Sequence, residues 1–288
     1  MSESDDSTGT SRFIFPQVMA IINRTPDSFY DKGKTWGIER ALKRCDEVIA
    51  QGASIVDIGG VKAGPGDEVD AAAEIERVVP LIAEISARHP EVIISVDTWR
   101  ASVAEKAIDA GARLINDTWA GWDPELIEVA GSRGVGYVCS HTGGVVPRTR
   151  PHRVHFDDVV ADVISETTQR AQQAVELGCP PELTFIDPTH DFGKNTFHGL
   201  ELLRRIDELV ETGWPVLMAL SNKDFVGETL DRGVGERVAG TLAATAWAAS
   251  KGVAAFRVHE VAETIDTIRM TAAIQGHLAP LNATRGLA

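Results

Sequence analysis

The sequence predicts an α/β fold of one domain, a single (β/α)8 TIM barrel, and three observations carry that prediction. Eight short apolar runs recur along the 288 residues, each ending in a small or polar residue. The runs are nearly continuously apolar, as parallel strands covered on both faces require. Between them lie stretches with apolar residues at helical spacing. Strand–helix alternation repeated eight times favours a closed barrel over a doubly wound open sheet. No break in the pattern marks a second domain.

Taken in order, residues 1–11 are polar and without periodicity, which predicts a disordered N-terminal tail. The runs then follow as Val18–Thr25, Ser54–Gly60, Val92–Thr98, Arg113–Thr118, Gly136–Thr142, Leu183–Thr189, Pro215–Ser221 and Ala254–Glu260. Ala41, Val48 and Ile49, and then Ile75, Val78, Val79 and Ile82, show the helical spacing between runs. The barrel is expected over 12–279, with 280–288 as a C-terminal tail. Two connections are long, Asn23 to Trp36 and Gly143 to Phe156, the second holding Arg148, Arg150 and Arg153. Loops that follow strands lie over the active face of such a barrel, so both are candidate lids.

Composition excludes more than it assigns. With 43% hydrophobic residues there is ample core, and no apolar run approaches the roughly 20 residues of a membrane span. The acidic N-terminus lacks the features of a signal peptide. Cys45, Cys139 and Cys179 form no CxxC pair, which suits a buried role in a reducing cytoplasm. A net charge of −14 disfavours nucleic acid and anionic membrane as partners. An anionic ligand must then be held by locally placed cations.

The informative residues stand at the run ends: Asn23, Asp57, Asp97 with Thr98, Asn116 with Asp117, His141, Asp187, Ser221 with Lys223, and Arg257 with His259. A barrel converges these positions on one mouth. Single polar residues there are commonly helix caps, but a ring that combines acids with a lysine, an arginine and histidine suggests a two-faced ligand. Asp97, Asn116 and Asp187 can accept from ring N–H groups. Lys223, Arg257 and His259 can hold an anion at the usual phosphate corner. No HExxH, no helical His or Cys pair and no GxSxG elbow is present. His141, His152, His155 and His190 sit on different loops, so solvent-facing or capping roles are expected of them, not a metal cluster.

At these residues the chain resembles the dihydropteroate synthases, over about Val18 to Gln275. The segments are MAIINRTPDSFYDKG (19–33), GASIVDIGG (52–60), ISVDT (94–98), INDT (115–118), IDPTHDFGKN (186–195), SNK (221–223) and RVHE (257–260). In that family a 6-hydroxymethyl-dihydropterin diphosphate loses diphosphate as p-aminobenzoate attacks the exocyclic carbon. The resemblance implies pterin binding by Asp97, Asn116, Asp187, Lys223 and Arg257. It implies diphosphate binding by Asn23, Arg257 and His259, with a magnesium ion near Asn23, and a homodimer through the outer helices.

The departures cluster. Where the family reads Glu-Ser-Thr-Arg-Pro-Gly after strand 2, on a mobile loop that helps build the aminobenzoate site, this chain has Val61, Lys62, Ala63, Gly64, Pro65 and Gly66. An ammonium at Lys62 does not reproduce a guanidinium fork. After strand 7 the family has Gly-x-Ser-Arg-Lys and then Ser or Arg; here stand Ala219, Leu220, Ser221, Asn222, Lys223 and Asp224. A carboxylate at Asp224 would oppose an aminobenzoate carboxylate at about 4 Å by roughly 1–4 kcal/mol. The altered second-substrate site is therefore Lys62, Ala63, Gly64, Ser221 and Asp224. The expectation is a synthase-like protein of the folate pathway that binds pterin, diphosphate or aminobenzoate-like ligands with little or no dihydropteroate synthase activity. The alternatives are a working synthase, or a transferase that uses another nucleophile.

Overall fold

The computed structural model describes residues 15–25, 37–149 and 154–285. The N-terminal tail, all of the first long connection beyond Thr25 and the Arg150–Arg153 part of the second lie outside them. Residues 280–285 form no helix or strand.

The strands are β1 (Gln17–Asn23), β2 (Ile55–Gly59), β3 (Ile93–Asp97), β4 (Leu114–Asp117), β5 (Gly136–Ser140), β6 (Thr184–Asp187), β7 (Leu217–Met218) and β8 (Ala255–Val258). Seven lie inside the predicted runs, and β1 starts one residue earlier. All neighbours pair in parallel, in the order β6-β5-β4-β3-β2-β1-β8-β7. A parallel bridge between Ile186 and Val216, with the Ile186 N–H donating to Pro215 O at 2.9 Å, joins β6 to β7 and closes the ring. The barrel is thus a TIM barrel whose weakest seam is the two-residue β7.

The helices are α1 (Ile38–Ala50), α2 (Ala71–Arg88), α3 (Ala101–Asp109), α4 (Glu125–Ser132), α5 (Val159–Leu177), α6 (Thr196–Arg204), α7 (Ile206–Val210), α8 (Asp224–Leu230), α9 (Val238–Ser250) and α10 (Val261–Ile274). Every strand feeds at least one. Local chemistry starts and stops them. Asp70 accepts from the Ala73 N–H at 2.8 Å to cap α2, and Asp158 accepts from Val160 and Ala161 to cap α5. Asn195 and His198 form a reciprocal capping box on α6. Gly178, at φ 115°, ends α5 in the left-handed region where a Cβ is costly.

Strand periodicity splits the core in two. Met19, Ile55, Leu114, Val138, Phe185, Leu217 and Ala255 fill the barrel interior. Their sequence neighbours, such as Val18, Val56, Ile115, Cys139, Ile186, Met218 and Phe256, face outward and pack under the helices. The three cysteines are free and buried. Burial pushes the Cys45 thiol up to about 12 and that of Cys179 to about 11, so neither is a thiolate at neutral pH. No helix among the described residues is long and apolar enough to cross a membrane.

Candidate functional site

The interior apolar layer locates the site. Two residues further along each strand, the inward positions are Ile21, Asp57, Ser95, Asn116, Ser140, Asp187, Ala219 and Arg257. Four residues further, several of the strands reach Asn23, Asp97, Thr118, Thr189, Ser221 and His259. The polar mouth is therefore two rings of side chains standing on a dry plug, each placed by period-two geometry.

Asp57 is the hub of the lower ring. Its fully buried carboxylate accepts from Ser95 Oγ (2.6 Å), Asn116 Nδ2 (3.0 Å) and Arg257 Nε (2.6 Å). Arg257 Nη2 also donates to Asp97 Oδ2 at 2.6 Å, and Thr118 Oγ1 donates to Asp97 Oδ1. The guanidinium is thus clamped by carboxylates from β2 and β3, its orientation set before any ligand arrives. Burial alone would lower the Arg257 pKa; Asp57 and Asp97 more than offset it and raise it. Burial pushes the Asp97 carboxyl up to about 6 against the opposing pull of Arg257. At neutral pH the pair is ionised.

Asp187 stands in the same ring on β6. Its Oδ1 accepts from the Thr189 N–H at 2.7 Å, and burial pushes its carboxyl up to about 6. Lys223 approaches from beyond β7, its Nζ 4.9 Å from the centre of the Phe192 ring, and burial lowers its pKa. Phe192 packs edge-on against Trp119 (5.0 Å), and Trp119 against Trp99 (6.4 Å). An aromatic arc from the β3, β4 and β6 loops thus borders the polar ring, a wall suited to a flat heterocycle.

Toward β1, β7 and β8 the mouth opens into a cavity of about 160 Å³ lined by Asn23, Ala219, Ser221, Lys223, Arg257 and His259, among others. Ser221 Oγ donates to Glu260 Oε2 at 2.8 Å, so at 2.9 Å it accepts from His259 Nδ1, which assigns the ring proton to that nitrogen. Glu260 Oε1 accepts from Asn222 Nδ2 at 2.9 Å, fastening the β7 loop to the end of β8. Among the described residues the cavity lining holds no carboxylate and carries two cations. Magnesium prefers near-octahedral oxygen with carboxylates or phosphates. Asn23 and its described neighbours therefore fit an ion that arrives with a diphosphate, with the Asn23 amide oxygen as one ligand.

Of the residues expected at the second-substrate site, Ser221 lines this cavity and the others fall elsewhere. Lys62, Ala63 and Gly64 lie on the β2–α2 segment at the rim. That segment is tied down at its C-terminal end: Arg100 Nη2 donates to Val69 O, and Arg148 Nη1, from the β5–α5 loop, donates to Asp67 O, both at 2.7 Å. Asp224 opens α8 with its side chain largely exposed and paired to Arg237 Nη1 at 2.8 Å. Arg237, at the start of α9, thereby offsets the charge that the sequence places there. Asp191 links the same region: its Oδ2 accepts from the Asp224 N–H at 2.5 Å. Neither Arg237 nor Asp191 carries a spacing signal, since their partners come from other loops.

Three run-end residues turn away from the mouth, the first being Thr98, which bonds Glu74 of α2. Asp117 faces outward, accepting from Tyr137 Oη and the Gly121 N–H, both at 2.6 Å. His141 also faces outward, against α5, with its side chain fully buried. His190 is buried too, with Nε2 3.2 Å from Gly199 O. Of the solvent-facing or capping roles expected of these histidines, His155 is solvent-facing, whereas His141 and His190 are buried; His152 lies outside the described residues.

Comparison with known proteins agrees with this architecture. The model of the pterin binding enzyme family matches residues 19–259. A relative from Mycobacterium leprae named inactive dihydropteroate synthase 2 is 57% identical over 275 residues, covering 94% of each chain. The Yersinia pestis dihydropteroate synthase, solved with a sulfonamide drug, superposes with a TM-score of 0.85 at 33% identity, covering 92% of this chain and 95% of that one. The Xanthomonas albilineans enzyme, solved with 4-aminobenzoic acid, gives 0.82 at 36% identity, covering 92% and 94%. With the barrel, the acid–arginine clamp and the match over most of its length, this chain belongs to the pterin binding enzyme family, as a divergent dihydropteroate synthase homologue.

Proposed function

We propose that this chain is a dihydropteroate-synthase-like protein that binds a pterin bearing a diphosphate and has little or no dihydropteroate synthase activity. The pterin would lie against the aromatic arc, its edge on Asn116, Asp187 and Asp97 and its face on the clamped Arg257. The diphosphate would occupy the β1–β7–β8 cavity beside Asn23, Lys223 and His259, with magnesium entering as its counter-ion. Leaving-group departure would be helped by cations already fixed in place.

The observation that carries the reduced activity is the tied-down β2–α2 segment. In the family that loop is mobile and brings a threonine and an arginine to the second substrate. Here Ala63 and Gly64 stand in their place, after Lys62, and Arg100 and Arg148 hold the later part of the segment by the backbone of Val69 and Asp67. The relative named inactive, at 57% identity, supports the same reading. Asp224 contributes less than its charge suggests, because Arg237 pairs with it. Homodimerisation is supported by an apolar groove along α6, α8 and α9 with Trp247 partly exposed in it, and by an α9 without a charged residue. Buried free thiols support a reducing cytoplasm.

The test is calorimetric titration with pterin diphosphate and magnesium, then with p-aminobenzoate plus diphosphate, followed by product assay. Binding of the first ligand is expected, lost in Arg257→Ala and Lys223→Ala and kept in Cys139→Ala. Turnover to dihydropteroate at the rate of a working synthase would sink the reading, as would complementation of a synthase-deficient strain.

A further inference from the structure

One set of metal-type donors lies outside the barrel mouth and takes no part in the site described above. His141 follows β5 in the outward phase, and its Nε2 points between two carboxylates of α5. It stands 2.9 Å from Asp162 Oδ2 and 3.8 Å from Glu166 Oε2. Asp162 and Glu166 are one helical turn apart, so both project from the same face of α5. The three donor atoms all fall within 4.8 Å of one another. The imidazole is fully buried while both carboxylates are about half exposed, and they border a cleft of about 570 Å³ beside the returning segment 154–158.

Like charges one turn apart weaken a helix. The nearest cations are spent on carbonyls: Lys194 Nζ donates to His141 O (2.7 Å) and Phe192 O (3.1 Å), and Arg170 Nη1 donates to Ser140 O (2.9 Å). Among the described residues, Asp162 and Glu166 pair with His141 and with no Lys or Arg.

We propose that His141, Asp162 and Glu166 bind one divalent transition-metal ion, of the Zn²⁺ or Mn²⁺ type, which staples the end of β5 to α5. One imidazole nitrogen with two carboxylate oxygens suits these ions better than Mg²⁺ or Ca²⁺. An ion about 2.1 Å from each donor holds neighbouring donors roughly 3–3.5 Å apart. The observed separations of 2.9 and 3.8 Å bracket that range, so small side-chain shifts complete the geometry. Three protein ligands leave at least one position facing the cleft for water. Coordination through Nε2 moves the ring proton to Nδ1, which is buried without an acceptor. An incomplete outer shell of this kind weakens metal affinity by about 10–100-fold, so micromolar binding is expected.

The full chain, stripped with a chelator, is titrated with Mn²⁺ followed by electron paramagnetic resonance, and with Zn²⁺ followed by calorimetry. The expected result is one equivalent bound at micromolar affinity with a rise in Tm. Asp162→Asn and Glu166→Gln should each weaken binding at least tenfold, and Asn23→Ala should leave it unchanged. Both carboxylates are half exposed, so the single variants should fold, with far-ultraviolet circular dichroism as the check. Absence of binding at millimolar metal overturns the proposal. So does undiminished binding in both single variants, or loss of binding in Asn23→Ala, which would place the ion at the barrel mouth.

Discussion

Asp57→Asn tests the central claim about the mouth, that one buried carboxylate organises it. The substitution keeps shape and removes the charge that Arg257 Nε meets at 2.6 Å. Breaking a buried ion pair from one side costs about 3–5 kcal/mol. Two features reduce that here: Asp97 still holds Arg257 Nη2, and an asparagine oxygen can still accept from Ser95 or Asn116. A loss of about 2–3 kcal/mol follows, or roughly 4–12 °C in Tm at about 2–4 °C per kcal/mol for a large domain. The Asp57 charge also raises the Asp97 pKa. Its removal should tighten the Asp97–Arg257 pair and pull the guanidinium toward β3. Urea unfolding of the wild type, Asp57→Asn, Arg257→Met and the double variant gives the coupling directly. A hub requires coupling above about 1 kcal/mol, where independent sites add within roughly 0.5 kcal/mol. Additive losses, or wild-type pterin-diphosphate affinity in Asp57→Asn, would refute the reasoning.

Two further outcomes are expected. Gly193 holds φ 64°, and a Cβ there would stand 2.1 Å from Thr142 O, so the β5 and β6 loops approach through the space that glycine leaves. Gly193→Ala should cost at least about 1–2 kcal/mol from the left-handed backbone alone; an unchanged urea midpoint would contradict this. Asp187 has a folded-state pKa of about 6 against an ordinary 3.8. Its protonated form is the one that folding favours, so its stabilising contribution is complete below pH 3.8 and is lost as pH rises through 6. The stability of Asp187→Asn relative to the wild type should therefore increase from about pH 4 to about pH 7.5. A flat difference across that window would show that burial does not shift this carboxyl.

The parts of the fold and site that were legible in the sequence are those dictated by strand geometry. Eight apolar runs carried enough pattern to place every strand, because parallel strands buried on both faces leave no polar positions to blur their limits. The membership of the ring is a matter of parity. Asn116 and Asp187 are in phase with Leu114 and Phe185 of the interior layer and face inward. Asp117 and His141 are one residue out of phase and face the helices. The type of a residue at a run end suggested a site, but only its phase decides which side of the barrel it serves, a distinction that needs the interior layer to be identified first. Asp57 shows the converse: it was visible as one acid among several, and its rank as the hub depends on Ser95, Asn116 and Arg257 converging from three other strands.

The two halves of the candidate site differ for the same reason. The half proposed to take pterin and diphosphate is built largely on strands, where neighbouring side chains are set by register and the sequence speaks for the structure. The second-substrate half is built on loops, where Arg148 reaches the β2–α2 segment and Arg237 reaches Asp224 across separations that no local pattern encodes. A loop-built half can also change without disturbing the barrel beneath it, since its contacts involve rim carbonyls and exposed side chains and not the interior layer. That asymmetry lets a chain lose the geometry for one substrate while the clamp on Arg257 remains intact. It places the decisive measurement on binding to the strand-built half and turnover at the loop-built half, taken separately.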